Sequence, residues 1–287
     1  MTQPKLPINK IKKTVEQVVA SPIVELLARL GYTAKGLVYF VVGFLAAQAA
    51  FGIRDKPTDT SGALLAIVSQ PLGKFLLGIL SVGIVGYVLW RLVQAIFDPE
   101  HLGQPMSAKR VIKRLSYAVR ALAYAGLALT AVQLILNVDD INRNLIEDRT
   151  ARLLAQPFGQ WLVGLAGFIV ISVGFYYLYE AYKGKFQRKF KLHEMTSIEH
   201  IWATCIGRFG IASRGVVFCM IGVFLIQAAR LSKASKARGL GEVLAILAQQ
   251  PFGSLILGVA ASGLIAYGVH STLEARYREV ANSNTLK

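Results

Sequence analysis

Positively charged side chains recur at two fixed positions in this chain, and they are the first residues that could bind a ligand. We call Arg29, Arg114 and Arg208 the leading cations, and Lys35, Arg120 and Arg214, six residues further on in each case, the trailing cations. Each pair introduces a long apolar stretch. A ring of such cations at the mouth of a membrane passage favours anions. Cations at the ends of membrane-spanning helices also anchor a protein to lipid headgroups. Both interpretations remain open.

Two glutamates offer the cations a partner. Glu180 and Glu274 lie near the ends of later apolar stretches, where the chain returns to the depth of the cations. An ion pair at that depth would lock together the two helices of one repeat, although its net energy could be small. Gln94 occupies the equivalent position in the first repeat and breaks the pattern.

Three glutamines share a third position. Gln48, Gln133 and Gln227 each lie 13 residues beyond a trailing cation, which corresponds to about 20 Å along a helix. Their side chains need polar partners inside a membrane, either across helices or as a polar ring that lines a passage. The aromatic residues Tyr39, Tyr124 and Phe218 lie one turn beyond the trailing cations, and we interpret them as part of an interfacial aromatic belt.

No pattern in the chain predicts catalysis. His193, Glu194, Glu199 and His200 form a small cluster, but histidines seven apart on a helix need further ligands to hold a metal. Cys205 and Cys219 are about 21 Å apart along a helix, too far for a disulfide, and are interpreted as packing residues. The sequence predicts no catalytic residue, no cofactor and no metal site, and therefore no enzyme.

The elements that position these residues are membrane helices. The chain is 54% hydrophobic and 17% charged, against about 25% charged in an ordinary soluble domain. Six stretches have the length of about 20 residues that a helix needs to cross a bilayer. They lie near Gly31–Phe51, Lys74–Phe97, Ser116–Val138, Phe158–Tyr182, Gly210–Arg230 and Phe252–Leu273. Their centres carry no Asp, Glu, Lys or Arg, which argues against ion-coupled transport.

The six stretches form three copies of one hairpin. The second stretch of each copy begins with Gln-Pro-x-Gly, at residues 70–73, 156–159 and 250–253, after a short apolar piece that cannot span. That piece predicts a surface helix, with the proline in the first turn of the next helix. Small residues such as Gly78, Gly83, Gly258 and Gly263 predict close helix packing. Because each copy starts and ends on the same side, an axis along the membrane normal relates the copies. We predict an all-α bundle of six transmembrane helices with pseudo-threefold symmetry.

The net charge of +16 fits this topology. Most Lys and Arg residues lie in the N-terminal segment, in the second and fourth of the five connections between the apolar stretches, and in the tail. The positive-inside rule therefore places both termini in the cytoplasm. The same excess predicts attraction to anionic lipids, and it gives no reason to expect nucleic acid as a partner. Residues 1–27 combine helical apolar spacing with lysines, which predicts an amphipathic segment on the membrane surface.

These residues resemble a family of bacterial membrane proteins known as domain of unknown function 1206, whose two-helix unit occurs three times. The resemblance is carried by Arg29-x-Gly31-Tyr32-x-Ala34-Lys35-Gly36, Gln70-Pro71-x-Gly73, Tyr87-x-x-Trp90-Arg91 and Glu274-Ala275-Arg276-Tyr277-Arg278. Repeat 2 departs from it, with Ser116 and Ala121 in place of glycine. The resemblance implies a six-helix membrane protein and brings no activity. We divide the chain into repeats at 28–97, 113–182 and 207–280, with linkers at 98–112 and 183–206 and a tail at 281–287.

Two functions fit this sequence. The first is a non-enzymatic module of the bacterial inner membrane that organises lipids or stabilises a membrane complex, with other membrane proteins or a second copy as partners. The alternative is a passive channel or facilitator for a small solute or anion along the pseudo-threefold axis. The glutamines and both sets of cations would then act as filters.

Overall fold

A computed structural model describes residues 21–97, 107–137, 145–184, 186–187, 190 and 195–277. This part of the chain contains nine α-helices, six long and three short. They are α1 Pro22–Ala50, α2 Thr60–Val68, α3 Gly73–Phe97, α4 Ala108–Ile135, α5 Leu145–Leu154, α6 Gly159–Lys183, α7 Ser197–Leu231, α8 Leu240–Ala248 and α9 Gly253–Tyr277. Of the predicted amphipathic segment 1–27, residues 1–20 lie outside the described residues, and residues 22–27 form the start of α1.

The six long helices confirm the predicted membrane architecture. Each is long and apolar enough to cross a bilayer, with mean hydropathies from 1.5 to 2.1 over their most apolar windows. They form three consecutive hairpins, α1–α3, α4–α6 and α7–α9, which we call repeats 1, 2 and 3. We call the side on which α1 begins and α9 ends the basic face, and the opposite side, which carries α2, α5 and α8, the short-helix face.

Helix α7 begins well before the predicted span at Gly210. A capping box at Thr196 explains the extension: the Thr196 hydroxyl accepts a hydrogen bond from the Glu199 N–H, and the Glu199 carboxylate accepts one from the Thr196 N–H. This arrangement satisfies two N–H groups at the helix start. Glu199 is therefore a helix cap, while His193 and Glu194 lie outside the described residues.

The three short helices are confirmed, but the proline after each has a different place from the one predicted. Pro71, Pro157 and Pro251 lie in the turn before the long helix, which begins two residues later at a glycine. The residue between them adopts the left-handed conformation, with φ of 62°, 63° and 60° in the three copies. A Cβ on each of these glycines would overlap carbonyl oxygens at the end of the preceding short helix. The motif therefore folds the short helix tightly onto the start of the spanning helix.

The long helices are arranged as a ring that is open at one place. Going round the ring, α1 packs on α3, α3 on α4, α6 on α7, α7 on α9, and α9 on α1. Among the described helices, only α4 and α6 are neighbours in the ring without an extended contact. We call the space between them the lateral opening. It separates the two helices of repeat 2, which the repeat pattern alone would pair like those of repeats 1 and 3.

Glycines explain the closed hairpins. In repeat 1, a Cβ on Gly31 would lie 2.6 Å from the Cα atom of Tyr87, so only glycine permits this approach of α1 to α3. Gly210 meets Tyr267 in the same way in repeat 3, again with a Cα atom at 2.6 Å. Glycine at helix contacts lets backbones approach closely, which is the main source of helix association in lipid.

Repeat 2 has lost these glycines. Ser116 stands in the place of Gly31 and Gly210, and Ile169 in the place of Gly83 and Gly263. The side chain of Ile169 is 51% exposed. The closed hairpins thus have glycine at both points, and the open hairpin has a larger residue at both.

The interfaces between repeats also differ in whether glycines let the two helix backbones approach closely. Gly36 on α1 faces Gly268 on α9, and Gly215 on α7 faces Gly174 on α6, in each case against carbonyl oxygens of the partner helix. The third interface, between α3 and α4, has Val88 and Ala121 at the equivalent positions. Not every predicted small residue is a contact: a Cβ on Gly78 or Gly258 would meet no atom within 4 Å.

Candidate functional site

The leading cations lie at the basic face, where two of them bind the end of a helix from the preceding repeat and the third lies beside one. The Arg29 guanidinium donates to the carbonyl of Arg276 on α9 at 3.0 Å, and Arg114 Nε donates to the carbonyl of Ala95 on α3 at 2.7 Å. Arg208 lies beside Gly184, which ends α6. Cations at helix C-termini satisfy free carbonyls and complement the helix dipole. The leading cations thus join consecutive repeats.

The trailing cations lie deeper and come together. Lys35 and Arg214 are 4% and 6% exposed, while Arg120 is half-buried. A fourth cation, Arg91 on α3, is 3% exposed and lies among the same aromatic rings. We call these four residues and the tyrosines around them the tyrosine–cation cluster. Its tyrosines are Tyr32, Tyr39, Tyr87, Tyr117, Tyr124, Tyr177 and Tyr267.

Aromatic faces surround the cations at short range. The Arg214 guanidinium carbon lies 4.5 Å from the ring centre of Tyr267, and the Tyr267 hydroxyl accepts a hydrogen bond from the same guanidinium. Arg91 lies 4.7 Å from the ring of Tyr87, and Lys35 lies 4.7 Å from that of Tyr267. A desolvated cation on an aromatic face gains about 2 kcal/mol or more. These contacts lower the cost of burying the cations without removing their charge.

The interpretation of the aromatic residues as an interfacial belt was wrong for the tyrosines. Tyr39 and Tyr124 are 7% and 8% exposed, and Phe218 lies 5.0 Å from the Arg214 guanidinium. Spacing from the trailing cation by one helical turn puts each ring on the same helix face as the cation. That face points into the bundle, so the rings enclose the cations instead of meeting the headgroups.

One of the predicted carboxylates pairs across repeats. The Glu274 carboxylate lies 3.8 Å from the Lys35 ammonium, and both side chains are almost fully buried. This pair joins α9 of repeat 3 to α1 of repeat 1, whereas the sequence suggested a pair within one repeat. Glu180 on α6 is also buried, at 7% exposed.

The carboxylate is missing at one of the three equivalent interfaces. The first spanning helix of each repeat packs on the second spanning helix of the preceding repeat. That second helix carries Glu274 on α9, Glu180 on α6 and Gln94 on α3. Arg120 therefore faces a helix with a neutral amide. Arg91, which replaces Tyr177 and Ser271 of the other repeats, adds a second cation there. We call Arg91, Gln94 and Arg120 the open corner, because it adjoins the lateral opening.

The charges of the cluster do not balance. Among the described residues it holds four cations, and the buried carboxylates are Glu180 and Glu274. Arg91 and Arg120 are close enough to repel each other electrostatically. The excess positive charge is concentrated at the open corner.

Several buried N–H and O–H groups of the cluster have no acceptor within the described protein. Gln94 Oε1 accepts a hydrogen bond from Arg91 Nη1 at 2.6 Å, but Gln94 Nε2 and Arg91 Nε have no partner. The same holds for Arg214 Nε and for the Tyr124 hydroxyl. An unsatisfied buried polar group costs about 1–3 kcal/mol. These groups are donors, so an oxygen-rich anion would satisfy them.

The three glutamines do not meet. Gln133 and Gln227 lie on exposed surfaces of α4 and α7, while Gln48 is half-buried on α1. Gln48 lines a cavity of about 1200 Å³ that opens on the short-helix face. Its wall includes Val41 and Leu45 at depth and Asp59 and Glu242 near the short helices.

Neither cysteine belongs to the tyrosine–cation cluster. Cys219 packs against α6, where its Sγ lies 3.9 Å from the carbonyl of Ile171, and Cys205 is exposed. No group of three potential metal ligands occurs within the described residues.

Arg91 is a candidate site residue that the sequence patterns did not single out. It belongs to the motif Tyr87-x-x-Trp90-Arg91, whose position predicts only a further cation near the end of a span. The available signal was the comparison between repeats: only repeat 1 has a cation at that position, and only repeat 1 has lost the acidic residue three positions later.

Comparisons with known proteins agree with the threefold organisation. The family model described as Domain of Unknown Function (DUF1206) matches three times, at residues 30–98, 115–184 and 209–278. An uncharacterized protein of Bacillus subtilis (strain 168), YxxB, is 34% identical over 275 residues, which cover 95% of this chain and 96% of the relative. No solved structure matches the chain. The chain therefore belongs to the DUF1206 family of three-repeat, multi-pass membrane proteins.

Proposed function

We propose that this protein is a non-enzymatic membrane module that binds an anion at the open corner of its tyrosine–cation cluster. The observation that carries the proposal is the unbalanced charge: two cations meet a glutamine where the equivalent interfaces have a glutamate. A buried charge is tolerated when it is paired. A bound anion would take the place of the missing carboxylate.

The donors at the site favour an oxyanion over a halide. Guanidinium groups present several N–H donors in a fixed plane and bind phosphate or carboxylate through two of them. Arg91 Nε and Gln94 Nε2 lack acceptors, and Arg120 contributes a third donor group to the same corner. A phosphate group could accept hydrogen bonds from all three side chains.

The proposed orientation follows the charge of the chain. We place the basic face in the cytoplasm of a bacterial cell, in the plasma membrane, because Lys and Arg residues concentrate at that side. The cluster then lies in the cytoplasmic half of the bundle. Anionic lipid at the same face would be attracted to both sets of cations.

Replacement of Gln94 by glutamate tests the proposal most directly. Q94E gives the open corner the carboxylate that the other two interfaces have, so it should compete with a bound anion. We expect calorimetric titration in a non-ionic detergent to show binding of inorganic phosphate or of dihexanoyl-phosphatidylglycerol to the wild type. Loss of about 1.4 kcal/mol or more in Q94E corresponds to at least about tenfold weaker binding.

The matched control is Q133E, which adds the same charge on an exposed surface of α4 and should leave binding unchanged. Phosphorus analysis of the purified protein accompanies the titration and reveals a ligand that is already bound. A wild type that carries no phosphorus and binds neither probe would refute the proposal. Equal affinities in the wild type and Q94E would also refute it.

The cavity on the short-helix face favours a second function, a passive pathway along the axis. Its volume of about 1200 Å³ would admit a small solute as far as Val41 and Leu45. Flux of anions into liposomes that contain the protein would support this function, and Gln48→Leu should then reduce the flux. Flux that survives the simultaneous replacement of Gln48, Gln133 and Gln227 by leucine would exclude the glutamines as a filter.

A further inference from the structure

The open corner lies next to the lateral opening, so an anion could reach it through that opening. Of the four cations in the cluster, only Arg120 is not fully buried. It lies on α4, and its guanidinium reaches the ring of Tyr177 on α6, at 5.9 Å from the ring centre. The site is thus exposed toward the gap between the two helices of repeat 2.

Side chains are closely packed between the short-helix cavity and the cluster. The cavity there ends near Val41 and Leu45, and below it Val38 and Val42 are completely buried, with Leu127 9% exposed. On the other side, Gln94 and Ser271 are 0% exposed and Trp90 is 3% exposed. Among the described residues, the approach that stays open is the one from the bilayer.

The surface around the lateral opening suits a lipid better than a hydrated ion. Helix α6 has the smallest buried share of the six spans, 22% of its most apolar window. Its exposed side chains include Ile169, at the position that contacts the partner helix in the closed hairpins, and Tyr176 seven residues further on, while α4 exposes Val119 and Leu122. A free anion would have to lose its hydration to pass such a surface, whereas the acyl chains of a lipid remain in an apolar environment.

The depth of the cluster is within reach of a headgroup. Arg91 lies six residues before the end of α3 at Phe97, which corresponds to about 9 Å along the helix axis. Long cationic side chains extend toward the interface, and headgroups are drawn inward to meet buried cations. A phosphate at the lower edge of the headgroup layer could therefore enter the gap beside Arg120.

We infer that the anion is the phosphate of an anionic phospholipid, which enters sideways through the lateral opening and binds between Arg91 and Arg120 with its acyl chains between α4 and α6. This inference rests on the proposed anion site. It adds the source of the anion and the path by which it arrives. The glycines missing from repeat 2 and the carboxylate missing from α3 would then serve one purpose, a lipid site in only one of three similar hairpins.

Photolabelling in vesicles tests the inference. The wild type is reconstituted in phosphatidylcholine with a small fraction of phosphatidylglycerol that carries a photoreactive group near its glycerol, and labelled peptides are identified by mass spectrometry. We expect labelling that excess phosphatidylglycerol suppresses, but phosphatidylcholine does not, to occur on peptides of α4 and α6. In Q94E this labelling should fall about tenfold, which corresponds to a loss of about 1.4 kcal/mol in binding. In Q133E it should persist.

The outcomes separate this inference from the proposed function. Suppressible labelling that is spread evenly over all six spanning helices, or that Q94E does not change, overturns the lateral lipid site. If inorganic phosphate binds in detergent and Q94E abolishes that binding while phosphatidylglycerol neither binds nor labels, the anion is a free one. The proposed anion site would then stand and the lipid source would be wrong.

Discussion

The hairpins of repeats 1 and 3 and the hairpin of repeat 2 come from one pattern, but only the former close. Gly31 and Gly210 allow a spanning helix to touch the backbone of its partner at Tyr87 or Tyr267. Repeat 2 has Ser116 and Val173 at the corresponding positions, and its helices stand apart. Because van der Waals contact between small residues drives helix association in lipid, a few changes of side-chain size suffice to open one hairpin of three.

Charge differs between the same regions. Where the ring is closed, between α1 and α9, Lys35 has Glu274 as a partner at 3.8 Å. Next to the opening, Arg120 has an aromatic contact with Tyr177 and, among the described residues, no ion pair. The open side of the ring is therefore also the side on which cations outnumber carboxylates among the described residues. The proposed anion site rests on this coincidence.

The largest expected effect comes from removing equivalent cations on the two sides. Lys35→Met should remove the cation that lies 3.8 Å from the buried Glu274 carboxylate, and breaking a buried ion pair costs about 3–5 kcal/mol. Arg120→Met should cost less than about 1 kcal/mol in lipid-free detergent, because it leaves no carboxylate unpaired and relieves repulsion with Arg91. Thermal unfolding followed by tryptophan fluorescence measures both variants.

A double variant provides the control. Lys35→Met combined with Glu274→Gln removes both charges and should recover much of the stability that the single change loses, since no charge is then buried alone. Equal losses in Lys35→Met and Arg120→Met would contradict this prediction, because they would show that the two cations have equivalent surroundings.

A smaller effect is expected from the glycines of the closed hairpins. Gly31→Ala places a Cβ 2.6 Å from the Cα atom of Tyr87, so α1 and α3 must separate. Such overpacking costs about 1–3 kcal/mol. Gly78→Ala is the matched control: its Cβ would meet no atom within 4 Å, and alanine is favoured over glycine in a helix by about 1 kcal/mol. The two variants should therefore shift the unfolding temperature in opposite directions, and a shared direction would show that glycine packing does not hold the hairpin.

Much of the fold could be predicted from the sequence, because membrane spans and repeats depend on averages over many residues. Length and hydropathy determine the six spans, and the three copies of Gln-Pro-x-Gly locate the short helices. The lateral opening could not be predicted in this way. It depends on single contacts, such as the one that Gly31 makes and Ser116 does not, and the sequence does not state which backbone each glycine faces.

The candidate site was predictable in its parts and not in its assembly. The trailing cations were identified from their recurrence, but their tyrosines were assigned to the membrane interface. Periodicity places Tyr39 on the same helix face as Lys35 without telling whether that face points inward. Gln94 was recognised as an exception among three equivalent residues. The sequence did not show that Gln94 accepts a hydrogen bond from Arg91 and lies on the helix that packs against α4.

Replacing a leading cation should have the smallest effect on stability, and that effect should differ between the interfaces. Arg114 holds the end of α3 through the Ala95 carbonyl, at the interface where Val88 and Ala121 replace a pair of glycines. Arg29 makes the equivalent contact between α1 and α9, where Gly36 and Gly268 already bring the backbones together. A charge at a helix C-terminus contributes about 0.3–1 kcal/mol.

We therefore expect Arg114→Gln to lower the unfolding temperature more than Arg29→Gln, with the loss for Arg114→Gln near the upper end of that range. The reason is that the α3–α4 interface has less close packing to compensate for a lost cap. Hydrogen exchange in detergent provides a local measurement: amide protection at the end of α3 should fall in Arg114→Gln, while that at the end of α9 should change little in Arg29→Gln. The reverse order would mean that the glycine contacts do not grade the three interfaces, and that the opening in repeat 2 needs another cause.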